Sequence, residues 1–169
     1  MPTDWAALYE AMYGDLVRYL YRKVWDAERA EDLAQETFVR ALRHNPDNPR
    51  AWLFTVASNL ARDEARSAVR RRRHLELVRA EIEADPPAAS SPSADAERRE
   101  RVEAVRRALE RLSDRDREVL LMWDGGLSYT EIAANTGLAR SAIGTTLARA
   151  RSRLVTAYEE QERRDVASD

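Results

Sequence analysis

Six side chains in the C-terminal third could hold a polyanion. Arg140, Ser141, Thr145, Arg149, Arg151 and Arg153 lie on one periodic segment, and no acidic residue interrupts it between Arg140 and Tyr158. Guanidinium groups and hydroxyls on a helix suit phosphate oxygens and base edges. A run of arginines alone is usually a solvated face, so the residues before it matter. Ala133 lies four residues before Gly137, and Ile143 follows six after it. A helix-turn-helix needs a small residue where its helices cross, a glycine able to take positive φ at the turn, and an apolar contact back from the second helix. The outward face of that second helix is then free to enter a major groove.

No comparable grouping serves catalysis. The chain has no cysteine, and His44 and His74 are isolated from each other and from ligand-like spacing, which leaves no thiolate or imidazole metal site. No phosphate-binding glycine loop or paired acid with a nucleophile occurs. The expectation is a protein that is not an enzyme, with no cofactor, no metal and no small-molecule substrate.

The elements that would position these residues are helices. Leu8, Met12, Leu16, Tyr19, Leu20 and Val24 recur at three- and four-residue steps, as on one amphipathic helix. Asp26 caps the next, whose buried stripe is Ala30, Leu33, Ala34, Thr37, Phe38, Ala41 and Leu42. A turn over 44–48 ends with Asn48 as cap and Pro49 at the first position of a third helix. That helix runs past Trp52, Leu53 and Val56 towards an arginine cluster, and Trp52 falls in the apolar register. Later, Val102, Val105, Leu109 and Leu112 mark a helix, Ser113 with Asp116 and Ser128 with Glu131 form two capping boxes, and Ile143, Leu147, Ala150 and Leu154 line the last helix.

Composition agrees. Of 169 residues 44% are hydrophobic, with five Gly, six Pro and two Phe, so the residues that favour sheet are scarce. The fold expected is all-α: two small helical domains joined by a flexible linker. Their bounds are 1–73, an acidic Pro/Ser/Ala linker over 74–100 containing "DPPAASSPSADA", a second domain over 101–160, and a charged tail over 161–169. The net charge of −2 suits a nucleic-acid binder poorly until the acid around the linker is set apart from the basic surfaces. No apolar run approaches the ~20 residues of a membrane span, and no signal peptide opens the chain. A cytoplasmic location without membrane insertion is expected.

The stretch "ALERLSDRDREVLLMWDGGLSYTEIAANTGLARSAIGTTLARARSRL" resembles region 4 of bacterial RNA polymerase sigma factors of the extracytoplasmic-function (ECF) group. "AEDLAQETFVRAL" followed by "PRAWLFTVASNLARDEARSAVRRRR" resembles region 2. The resemblance implies a protein that binds core polymerase at the beta-prime clamp and beta flap, melts the minus-ten element of promoter DNA and holds the minus-thirty-five element, with an anti-sigma factor as a further partner. It implies core-polymerase contacts from Asp32, Gln35, Glu36 and Arg40. It assigns minus-ten DNA to Asn59, Arg62, Asp63 and Arg66 with Arg70, Arg71, Arg72 and Arg73, Asn59 standing beside a flipped base. Minus-thirty-five DNA falls to Arg140, Ser141, Thr145, Arg149 and Arg151. The commoner family pattern has basic residues at 144 and 146 and often a large one at 148, where this chain has Gly144, Thr146 and Ala148; an unusual or weakly discriminating upstream readout is expected. Two other functions remain open on sequence: a dimeric helix-turn-helix repressor or activator, and a helical protein that sequesters a regulator.

Overall fold

The computed structural model describes residues 1–79 and 94–167. Among them are seven helices: α1 (Trp5–Val24), α2 (Ala27–Ala41), α3 (Pro49–Arg79), α4 (Ala94–Glu110), α5 (Asp114–Asp124), α6 (Tyr129–Thr136) and α7 (Arg140–Val166). None of the described residues is in a strand, and the fold is the expected all-α one.

Local chemistry starts and stops these helices. The Asp4 carboxylate accepts from the Ala7 N–H at 3.0 Å, Asp26 from Arg29 at 2.9 Å and Asn48 from Ala51 at 3.1 Å, each satisfying an otherwise orphaned first-turn donor. Trp25 closes α1 in a left-handed conformation, φ 57°, with its N–H on the Tyr21 carbonyl. That is an uncommon conformation for a bulky residue.

The first half packs α1 and α2 on α3. Leu16, Leu20, Ala30, Ala34, Leu53, Phe54 and Ala57 are fully enclosed. On α1 and α2 these belong to the expected stripes, whereas on α3 the buried face is Leu53, Phe54, Ala57 and Leu60, and Trp52 and Val56 of the expected register are only half-buried. Leu42 departs from the expected stripe and is 69% exposed. It is the C-cap residue of α2, still right-handed helical with its N–H on the Phe38 carbonyl, so the period carries through it but this end of the helix projects beyond the core.

In the second half, Leu109, Val119, Leu121, Met122, Leu127, Ile132, Ile143 and Leu147 form the core. The Ser128/Glu131 capping box is complete, and Gly137 ends α6 at φ 71°. The Ser113/Asp116 pair is only half a box. Ser113 accepts from the Asp116 N–H, whereas the Asp116 carboxylate turns to Arg149 and Arg153.

Helix enters both edges of the expected 74–100 linker, because α3 reaches Arg79 and α4 begins at Ala94. Runs of Arg, Glu and Ala sustain helix by intrinsic propensity without any apolar stripe. Residues 80–93 lie outside the described residues. The expected tail is likewise helical to Val166.

The halves meet through α5 and α6 against α1 and α3. Glu118 of α5 receives the Tyr19 hydroxyl and the Lys23 ammonium from α1, and the Ser58 hydroxyl from α3 at 3.1 Å. The Asn135 amide donates to the Ala51 carbonyl at 3.2 Å, and Arg50 donates to the Gly126 carbonyl at 2.7 Å. Burial, followed by the neighbouring Glu118 charge, pushes the Tyr19 hydroxyl well above its ordinary pKa.

Candidate nucleic-acid interface

The α2 residues expected to meet polymerase share one solvent-facing side: Asp32, Gln35 and Arg40 are exposed and Glu36 is half-buried. Leu33, Ala34, Thr37 and Phe38 occupy the other side, as positions three and four apart require. Arg40 pairs with Glu36 at 2.6 Å and Asp32 lies 3.8 Å from Arg29. Val39 and Leu42, 62% and 69% exposed, stand beside them, so this charged face carries apolar surface as well.

On α3, Asn59, Arg62, Asp63, Arg66 and Arg70 to Arg73 are all exposed. Arg62 donates to the Asn59 amide oxygen at 3.3 Å. Arg66 lies 3.9 Å from Asp63. Arg71 is drawn back to Glu64 at 2.9 Å, and Glu64 also holds Arg29 of α2 at 2.7 Å. The Arg29 hydrogen bond, aided by Arg71, lowers the Glu64 pKa against the opposing effect of burial. Glu64 thus anchors the basic end of α3 to α2.

The α2 face and Asn59 border a single groove of about 540 Å³, lined by Glu36, Val39, Arg40, Arg43, His44, Trp52, Val56 and Asn59. Trp52 is only half-buried; its ring lies 5.0 Å from His44 and 6.0 Å from Trp5. It is therefore both part of the core edge and a wall of the groove. The sequence gives no sign of His44 here, because its neighbour in space is eight positions away across a turn.

The helix-turn-helix is α6 and α7, with Gly137 between them. Ser141, Thr145, Arg149 and Arg151 are exposed on α7 as expected, yet most of its arginines are engaged. Arg149 grips Asp116 through two nitrogens, at 2.7 and 3.3 Å, and Arg153 adds a third bond at 2.9 Å. Arg140 donates to the Thr130 hydroxyl at 3.1 Å. Arg151 lies over the Trp123 ring, 5.7 Å from its centre. Asp116 is 1% exposed, and the Arg149 hydrogen bond leads the effects that lower its pKa.

Residues 8–71 match the Sigma-70 region 2 family and residues 102–154 the Sigma-70, region 4 family. The RNA polymerase sigma factor YlaC of Bacillus subtilis is 33% identical over 92% of this chain and 94% of its own length. The ECF RNA polymerase sigma factor SigL of Mycobacterium tuberculosis is 35% identical over 84% of each chain. The chain belongs to the ECF group of sigma-70 factors. It therefore directs promoter-specific transcription initiation with core RNA polymerase. The repressor and sequestering alternatives give way to that assignment, and sigma factors are not a class of enzymes.

A solved structure of the sigma factor RpoE with the anti-sigma factor NepR from Bartonella quintana is similar, at TM-score 0.59 and 27% identity over 92% of this chain and 97% of that one. No helix among the described residues is long and apolar enough to cross a membrane. Two roles escape sequence reasoning in this sigma factor: Glu118 looks like an ordinary member of a charged helix and Asp116 like a local capping residue, and their partners lie 33 to 99 positions away.

Proposed function

We propose that the α2 face of Asp32, Gln35, Glu36 and Arg40 docks on the polymerase clamp. In the same complex Asn59, Arg62, Asp63 and Arg66 engage the melted minus-ten strand, and α7 lies against the minus-thirty-five duplex. The observation that carries this reading is the groove at Asn59. It joins the polar α2 face to an Asn that can both donate and accept and to the His44 and Trp52 rings, against which an unpaired base can stack. Arg70, Arg72 and Arg73 extend along α3 as phosphate contacts whose contribution falls with salt. The polymerase supplies the chemistry, and the protein acts in the cytoplasm, where polymerase and promoter are. Because RpoE of B. quintana is bound by an anti-sigma factor, we assign such a partner to this chain as well.

Reconstitution with purified core polymerase tests the reading. Asn59→Ala is expected to abolish promoter-dependent initiation, with core binding retained. Joint substitution of Asp32 and Glu36 by Ala is expected to lose core binding itself. Initiation by Asn59→Ala at the unsubstituted rate would overturn the assignment of the groove.

A further inference from the structure

The outward ridge of α7 carries neither charge nor length. At about 3.6 residues per turn, Ser141, Thr145, Ala148 and Ser152 fall within one narrow arc. It lies opposite the buried Ile143, Thr146, Leu147 and Ala150, and all four ridge residues are exposed. The arginines occupy the flanks. Arg149 and Arg153 are turned to Asp116 on one side, and Arg151 lies over Trp123 on the other. Position 144 also lies on a flank. A Cβ there would lie in ordinary contact with the Tyr129 ring, at 3.5 Å. Thr146 is 5% exposed and belongs to the core. Of the three positions at which the chain departs from the common family pattern, Ala148 is the one on the exposed ridge.

We propose that α7 reads its duplex by methyl contact: the Thr145 γ-methyl and the Ala148 β-methyl pack against thymine 5-methyl groups, while the flanking arginines hold the two phosphate strands. This deepens the placement of α7 proposed above and rests on it. The major groove is about 12 Å wide and an α-helix with side chains measures roughly 10–12 Å, so a helix with short ridge residues can settle deeply enough to touch base edges. Hydroxyls such as Ser141 and Ser152 accept or donate and so discriminate little. The thymine methyl is the one major-groove feature that a small apolar group distinguishes. The arginines beside the ridge are already held by Asp116 and the Trp123 ring, and their remaining donors suit phosphate oxygens.

The test uses holoenzyme reconstituted from core polymerase and the full chain. The preferred upstream element is first selected from a randomised library, and each thymine in it is then replaced by uracil, which removes the methyl and leaves the hydrogen-bonding edge intact. We expect one or two positions at which uracil raises the half-saturating holoenzyme concentration about fourfold, the worth of one buried methyl-sized group. Thr145→Ser should erase that sensitivity at one position, and Thr145→Val, which keeps a methyl and drops the hydroxyl, should retain it. Ala148→Gly should erase it at the other. Indifference to uracil at every position, with the upstream element still required, would overturn methyl reading and leave α7 on the duplex. A selected G·C pair whose preference vanishes in Arg149→Ala or Arg151→Ala would overturn it in favour of arginine readout. Initiation independent of any upstream sequence or duplex would overturn the placement of α7 itself.

Discussion

Asp116 is a carboxylate almost wholly removed from water, kept charged by two arginines that are themselves half in solvent. Its lowered pKa has a direct consequence for stability. A group whose folded pKa lies below its unfolded value, ~3.9 for Asp, stabilises the fold fully above that value. The contribution is lost as pH falls through the folded pKa. Asp116→Asn should cost about 1.5–3 kcal/mol at neutral pH, the range for a hydrogen bond to a charged group. The gap to the unsubstituted protein should begin to narrow as the pH of a denaturant titration is lowered from 7 through ~3.9, and a gap that stays constant as the pH passes below that value would exclude the mechanism. None of this is readable from the sequence, where Asp116 looks like the third residue of a capping box. Spacing along one helix reveals a local cap, but not a guanidinium brought in from a helix 33 positions on.

The ends of the helices are the most legible elements. Asp26, Asn48, Ser128 and Gly137 each do what their residue types allow at those positions, because capping is settled within four or five residues of chain. Leu42 and the edges of the linker mark where sequence reasoning stops: an apolar period does not tell whether a neighbour reaches the end of a helix, and charged helix formers extend α3 to Arg79 and start α4 at Ala94 with no apolar period there. Ala139 shows a cap position left unfilled. It is exposed, has the extended backbone of an N-cap and makes no side-chain hydrogen bond. Ala139→Ser should raise stability by about 1 kcal/mol, read as a higher midpoint in thermal unfolding. An unchanged or lower midpoint would mean that the first-turn donors of α7 are already satisfied.

For the whole molecule, the sequence indicates two helical units and the order of their helices, but not how the units meet. That contact is made by residues whose polarity marks them as surface, Glu118, Lys23, Asn135 and Arg50, and by Gly125. Gly125 has an ordinary φ of −72°, so its backbone does not require glycine. Its surroundings do: a Cβ there would stand 2.7 and 2.8 Å from two carbons of the Phe54 ring. Phe54 is fully buried and packed on Tyr19 at 4.9 Å, which holds the ring against that approach. Gly125→Ala should therefore push the halves apart while leaving each intact. The expected result in small-angle scattering is a larger radius of gyration, with helical content by circular dichroism preserved. An unaltered radius would show that the ring can yield.

The grip of Asp116 on Arg149 and Arg153 also bears on how readily this protein can let go of and regain its duplex. An arginine fixed on binding surrenders roughly 2 kcal/mol of rotamer freedom. These two surrender most of it when the chain folds. Ordering them against phosphate then carries little further entropic penalty, and the flank of α7 meets DNA as a preformed surface.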